Sequence, residues 1–137
     1  MKLRTPSKVE MQVLSVLWER GPATVRAVLQ AMPDGKTRAY TTILSVLQVM
    51  ERKGLVAHTT QGNTHVYQAR ASQAQVTGPL LRGLVRDVFG GSPVAAMQRL
   101  LAEHEVSREE LTEIKRLIAG RDRAADAKPA APGRRDP

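Results

Sequence analysis

Thr41, Ser45, Gln48 and Arg52 stand at i, i+4, i+7 and i+11, a spacing that sets four side chains along one face of an α-helix. Two hydroxyls, an amide and a guanidinium, short at one end and long at the other, suit hydrogen bonding to base edges and phosphates rather than making or breaking covalent bonds. A helix entering a major groove by its N-terminus would bring these hydroxyls, and that of Thr42 beside them, to base edges and thymine methyls. Arg52 and Lys53, at the other end, would lie nearer the phosphates. Tyr40 opens the segment. Lys36 and Arg38 just upstream add positive charge where free first-turn amides and the helix dipole already attract anions. Alone, such a stripe is what any amphipathic helix turns to water, so its neighbours decide its meaning.

Groups that could do catalytic chemistry are scarce. The chain has no cysteine, which excludes disulfide bridges, thiolate metal sites and a cysteine nucleophile together. Its three histidines are His58, His65 and His104. His58 and His65 could face each other across a hairpin as metal ligands, yet no carboxylate lies near them in sequence, and two polar strand residues is the simpler account. Glu103, Glu105, Glu109, Glu110 and Glu113 gather around a helix start, where acidic residues are favoured electrostatically. No glycine-rich phosphate loop or Gly-x-Ser-x-Gly elbow occurs. The expectation is a protein with no catalytic residues, no metal and no cofactor.

The apolar pattern supplies a scaffold for the stripe. Ser7-Lys8-Val9-Glu10 forms a capping box for a first helix whose Val9, Val13, Val16 and Leu17 recur at helical spacing until Gly21-Pro22. Thr24 can cap a shorter second helix carrying Val25, Val28, Leu29 and Met32, and Pro33-Asp34-Gly35 ends it. A third helix over residues 40–53 buries Ile43, Val46, Leu47 and Met50, with Gly54 as its left-handed cap. Residues 55–60 and 64–69 then read as two strands around Gln61-Gly62-Asn63, a β-hairpin. Gln61 and Asn63 at its turn, with His58, Thr60 and His65 nearby, suit contact with phosphate or sugar. The turn is poor in Lys and Arg, so it should position more than it binds. Helix, helix, helix, hairpin is the order of a winged helix-turn-helix domain.

Beyond Arg70 the helical pattern returns three times. Ser72 and Gln75 can box a helix bearing Leu81, Leu84 and Val88, whose first turn Gly78-Pro79 weakens. Pro93 opens another helix bearing Leu100 and Leu101, and Ser107 caps a last one bearing Leu111, Ile114 and Leu117, closed by Gly120. Three short helices have more apolar face than they can bury on one another, and pairing of two copies around a two-fold axis is the natural remedy. The fold class expected is mainly α with a small β-hairpin. Residues 1–70 would form the winged helix-turn-helix domain, 71–120 a three-helix dimerisation module and 121–137 a disordered tail.

Charge agrees with this division. Of 137 residues, 21 are Lys or Arg and 13 Asp or Glu, a net of +8, and residues 1–70 hold ten of the basic and four of the acidic ones. An excess of cations on the half that carries the stripe points to a polyanion, since each Lys or Arg placed on a phosphate releases counterions. The length suits one domain, or one small domain with an appendage, and is too short for two full-sized cores. No run approaches the ~18 apolar residues that would span a bilayer, and the basic first residues lead into no secretory signal, so neither membrane insertion nor export is expected and the cytoplasm is the expected location. The rival reading is a winged-helix module that binds another protein without sequence-specific DNA binding; exposed apolar residues on the third helix would mark it, and only Val49 interrupts the polar face.

Several segments carry a more specific pattern. They are Glu10-Met11-Gln12-Val13-Leu14-Ser15-Val16-Leu17-Trp18, Thr24-Val25-Arg26 with Val28-Leu29, Ala39-Tyr40-Thr41-Thr42-Ile43-Leu44-Ser45-Val46-Leu47, and Glu51-Arg52-Lys53-Gly54-Leu55-Val56. With the hairpin ending at Tyr67, the chain over about residues 7–119 resembles the penicillinase-repressor and methicillin-resistance-repressor family of bacterial winged-helix regulators. The resemblance implies a homodimeric transcriptional repressor on a double-stranded inverted-repeat operator, with the C-terminal helices as the dimer module. In antibiotic-responsive members of that family a sensor-linked metalloprotease leads to cleavage of the C-terminal region, which takes the dimer apart. The corresponding stretch here, Gln98-Arg99-Leu100-Leu101, departs from the Asn-Phe bond cut in those relatives. A copper-responsive branch binds metal through cysteine pairs, and the lack of cysteine excludes that trigger here.

Overall fold

A computed structural model describes residues 5–127. The first helix, α1 (Lys8–Arg20), begins with the expected box: Ser7 Oγ accepts from the Glu10 amide at 3.2 Å and Glu10 Oε1 accepts from the Ser7 amide at 2.9 Å. Gly21, at φ 86°, ends it. A two-residue strand β1 (Ala23–Thr24) leads straight into α2 (Val25–Ala31), whose cap is the Thr24 hydroxyl. One 3-10 turn over Gly35–Thr37 precedes α3 (Tyr40–Arg52), and Gly54 follows it at φ 84°.

Strands β2 (Val56–Gln61) and β3 (Thr64–Ala69) pair antiparallel from Val56↔Ala69 to Gln61↔Thr64. Two residues remain for the turn, and Gly62 takes its first central position at φ 64°, where a tight hairpin requires glycine. β1 pairs with the far edge of β3, Ala23 opposite Tyr67 and Thr24 opposite Val66, giving a three-stranded sheet in the order β1-β3-β2. The sequence pattern predicts only two of these strands. Two residues are too few to show an alternation, and their pairing is long-range.

The core lies where this sheet meets α1, α2 and α3: Val13 and Leu14, Val28, Ile43, Leu47 and Met50, with Tyr67 from β3 almost wholly enclosed. Val46, expected in the core, is half-buried beside it. A winged helix-turn-helix with further helices after it is therefore the architecture.

Of the helices that follow, one, the last, runs further than expected. α4 (Gln73–Asp87) passes through Pro79 without ending. The residue before a proline resists helical backbone because its Cβ meets the proline ring, and Gly78 has no Cβ. α5 spans Pro93–Glu103, and α6 spans Arg108–Ala127, so Gly120 does not close the last helix. Residues 121–127, expected to begin a disordered tail, continue α6, and residues 128–137 lie outside the described part.

Contacts divide the chain into two units between Gly90 and Gly91. α4 falls with the first: Val76 is buried and Leu80 packs against that core, and the Trp18 indole donates to the Ala71 carbonyl at 2.8 Å just before α4 begins. The second unit contains α5 and α6.

Candidate nucleic-acid interface

α3 buries Ile43, Leu47 and Met50 and turns Thr41, Thr42, Ser45, Gln48 and Arg52 to solvent. All five polar residues chosen from the sequence share one open face, with Tyr40, 42% exposed, at its start. Ala39 at the N-cap contributes no side-chain hydrogen bond, and the Thr42 amide turns back to the Ala39 carbonyl at 3.1 Å, so the amides of Tyr40 and Thr41 keep their affinity for an outside acceptor. Leu44 and Val49 flank the face half-buried.

The cations around this face are not equally available. Arg38 pairs with Asp34 at 2.8 Å and is only 25% exposed, with its Nε enclosed and without a partner. The hydrogen bond from Arg38 holds the Asp34 carboxyl below its usual range, and Asp34 in turn raises the guanidinium pKa. Lys53, expected near phosphates, instead gives its ammonium to Glu10 at 2.8 Å, joining the end of α3 to the start of α1. Arg52 makes no ion pair among the described residues. The side chain of Lys36 lies outside the described part.

One cation that the stripe does not include stands at the interface. Arg26, in the first turn of α2 and exposed, holds its guanidinium 5.5 Å above the centroid of the Tyr40 ring, within the range of a cation–π contact. A cation in the first turn of a helix opposes the helix dipole, and that mismatch was the signal available in the sequence.

The hairpin holds Gln61 and Asn63 exposed at its tip. The rings of His58 and His65 do face each other across the strands, but they stack at 4.2 Å and 19° instead of converging on a point. The carboxylate that seemed missing comes from another element. Glu51, in the last turn of α3, accepts from the His58 amide at 3.3 Å and meets its Nδ1 at 2.8 Å. Local sequence could not show this contact, which ties the hairpin to the end of the reading helix. No group of three His, Cys, Asp or Glu among the described residues is arranged to hold a metal ion. Burial, and then the nearby Glu51, push the Tyr67 hydroxyl pKa up.

Of the residues chosen for pairing, Leu81 and Leu84 lie exposed on α4 and Val88 just after its end, Leu100 and Leu101 on α5, and Leu111 and Leu117 on α6, with Ile114 half-buried. None of the described side chains in α5 or α6 is buried in the single chain. No helix among the described residues is long and apolar enough to cross a membrane.

The sequence model of the penicillinase repressor family matches residues 6–120, across the winged domain and the helices after it. The chain belongs to the penicillinase repressor family. Among the relatives of this family member, the transcriptional regulator BlaI of Mycobacterium tuberculosis is 30% identical over 120 residues, which is 86% of each chain. The same protein from a second strain gives the same values. The penicillinase repressor of Bacillus licheniformis is 20% identical over 117 residues, 85% of this chain and 91% of its own.

Proposed function

We propose that this member of the penicillinase repressor family binds a double-stranded inverted-repeat operator as a homodimer and silences the genes beside it. The observation that carries the reading is the face of α3, where five polar side chains stand open to solvent directly behind a fully buried apolar row. A hydroxyl-lined N-terminal half matches base edges and a cation at the far end matches a phosphate. Residues 1–70 supply the reader. The faces between residues 71 and 120, led by Leu81, Leu84, Leu111 and Leu117, supply the pairing surface, because a second copy would cover apolar side chains that the single chain leaves wet. Such a protein works in the cytoplasm beside the chromosome and needs neither cofactor nor catalysis.

Release by a sensor-linked protease would act on the helix α5, which carries Gln98 to Leu101. A helical segment must open before a protease can thread it, so loss of the pairing partner and cleavage would favour each other.

Selecting bound sites from random duplex DNA tests the reading most directly. The expected product is two matching half-sites about 10 base pairs apart or a multiple of that spacing. Recovery of unrelated sequences, together with an affinity that does not change between low and moderate salt, would leave the protein-binding alternative standing instead.

A further inference from the structure

Between α3 and the hairpin turn lies a groove of about 500 Å³, walled on one side by Arg26, Tyr40 and Gln48 and on the other by Asn63 and His65. We infer that this groove seats the sugar–phosphate ridge separating the major groove read by α3 from the neighbouring minor groove, and that Arg26, held by the Tyr40 ring, is the cation that anchors it. The inference rests on the DNA-binding reading and adds to it a second contact track and a residue outside the stripe.

On the DNA-binding reading, the position of this groove defines its occupant. A hairpin projecting beside a helix inserted in one groove can reach the next groove only by straddling the backbone between them. The walls have the chemistry of that backbone. They offer a guanidinium, two side-chain amides, hydroxyls and a histidine ring, and no Asp or Glu is among them. Phosphates are held by donors of these kinds.

Position and availability together single out Arg26, the one Lys or Arg among the described residues lining the groove. Arg38 is committed to Asp34 and Lys53 to Glu10, whereas Arg26 makes no ion pair among the described residues. Its charge is therefore free for an outside anion. The Tyr40 ring beneath it, at 5.5 Å, restricts where the guanidinium can go, so less side-chain freedom is lost when a phosphate arrives.

The test measures affinity of the full chain, by fluorescence anisotropy, for its selected operator and for random duplex between about 50 and about 200 mM salt. Arg26→Ala should weaken binding to both DNAs by roughly tenfold, as loss of one charge-assisted hydrogen bond would. It should lower the salt slope by about 0.9 and leave the ratio of the two affinities unchanged. Arg26→Lys should keep the slope, because the charge count is the same, and serves as a folded control. In a Tyr40→Ala background, Arg26→Ala should have a smaller effect than in wild type. An unchanged slope and affinity for Arg26→Ala, where Arg52→Ala lowers both, would overturn this inference and leave the DNA-binding reading intact. A wild-type affinity that is flat in salt would remove that reading, and this inference with it.

Discussion

Replacing Lys53 by Met should destabilise the winged unit by about 1–3 kcal/mol at neutral pH while leaving the salt dependence of DNA binding unchanged. Glu10 is only 5% exposed, and its oxygens are divided between the Ser7 amide at 2.9 Å and the Lys53 ammonium at 2.8 Å. Removing one partner of a fully buried ion pair costs about 3–5 kcal/mol. The Lys53 side chain, however, keeps 35% of its surface in water, so solvent can reach the vacated oxygen and the cost falls below that range. For a unit of this size, 1 kcal/mol corresponds to about 4–8 °C in Tm, a shift that circular dichroism resolves easily.

The pH dependence carries its own sign. Burial by itself pushes the Glu10 carboxyl up. Hydrogen bonds from Lys53 and Ser7 and the attraction of the ammonium outweigh it, and the net pKa lies below the ordinary value. A carboxyl with a lower pKa folded than unfolded contributes stability above its unfolded value, near pH 4, and loses it as the pH falls through the folded value. The deficit of Lys53→Met should therefore be complete at pH 7 and shrink below about pH 4. An unchanged Tm at pH 7, or a deficit equally large in acid, would refute this account of the pair. A reduced salt slope would show that Lys53 reaches phosphate after all.

Arg52→Ala should weaken binding to all DNA and lower the salt slope by about 0.9, whereas changes at Thr41, Thr42 or Ser45 should alter sequence preference by about 1–3 kcal/mol per base contact; equal losses on operator and random duplex for the Thr and Ser changes count against base reading. Asp34→Asn should release the Arg38 guanidinium and raise affinity for random DNA a few-fold with a slope steeper by up to about 0.9, and an unchanged slope would mean that Arg38 stays enclosed without its partner. Polar substitution of Leu111 and Leu117 together should yield monomers with much weaker operator affinity, since two linked half-sites raise effective concentration; sedimentation of an unaltered dimer would exclude this pairing face.

What the sequence disclosed was local. Ser7 with Glu10, Ser72 with Gln75 and the left-handed Gly54 lie within a few residues of the ends they shape, so their chemistry can be read without knowing the fold. The open face of α3 was equally legible, because helical period alone puts Thr41, Ser45, Gln48 and Arg52 together. The unread contacts are the distant ones: Lys53 meets Glu10 across 43 positions and the Trp18 indole meets Ala71 across 53. Arg38 and Asp34 are close in sequence, but the 3-10 turn between them, Gly35–Thr37, is too short to leave a periodic pattern that would announce the pair. α6 outran its expected end because one glycine costs about 1 kcal/mol in a helix, too little to stop the Ala- and Arg-rich stretch that follows it.

Thr24 is at once a residue of the sheet, opposite Val66, and the cap of α2, its hydroxyl accepting from the Ala27 amide at 3.1 Å. With Glu51 fastened to His58 on the opposite strand of the hairpin, the wing is braced from two sides and has no free joint about which to swing. On the proposed function, a reader without a hinge cannot adjust its span to an ill-fitting site, and the duplex must do the yielding. Pyrimidine–purine steps that kink readily would then be preferred at positions no side chain touches, and the stiffness of the wing would be written into the operator itself.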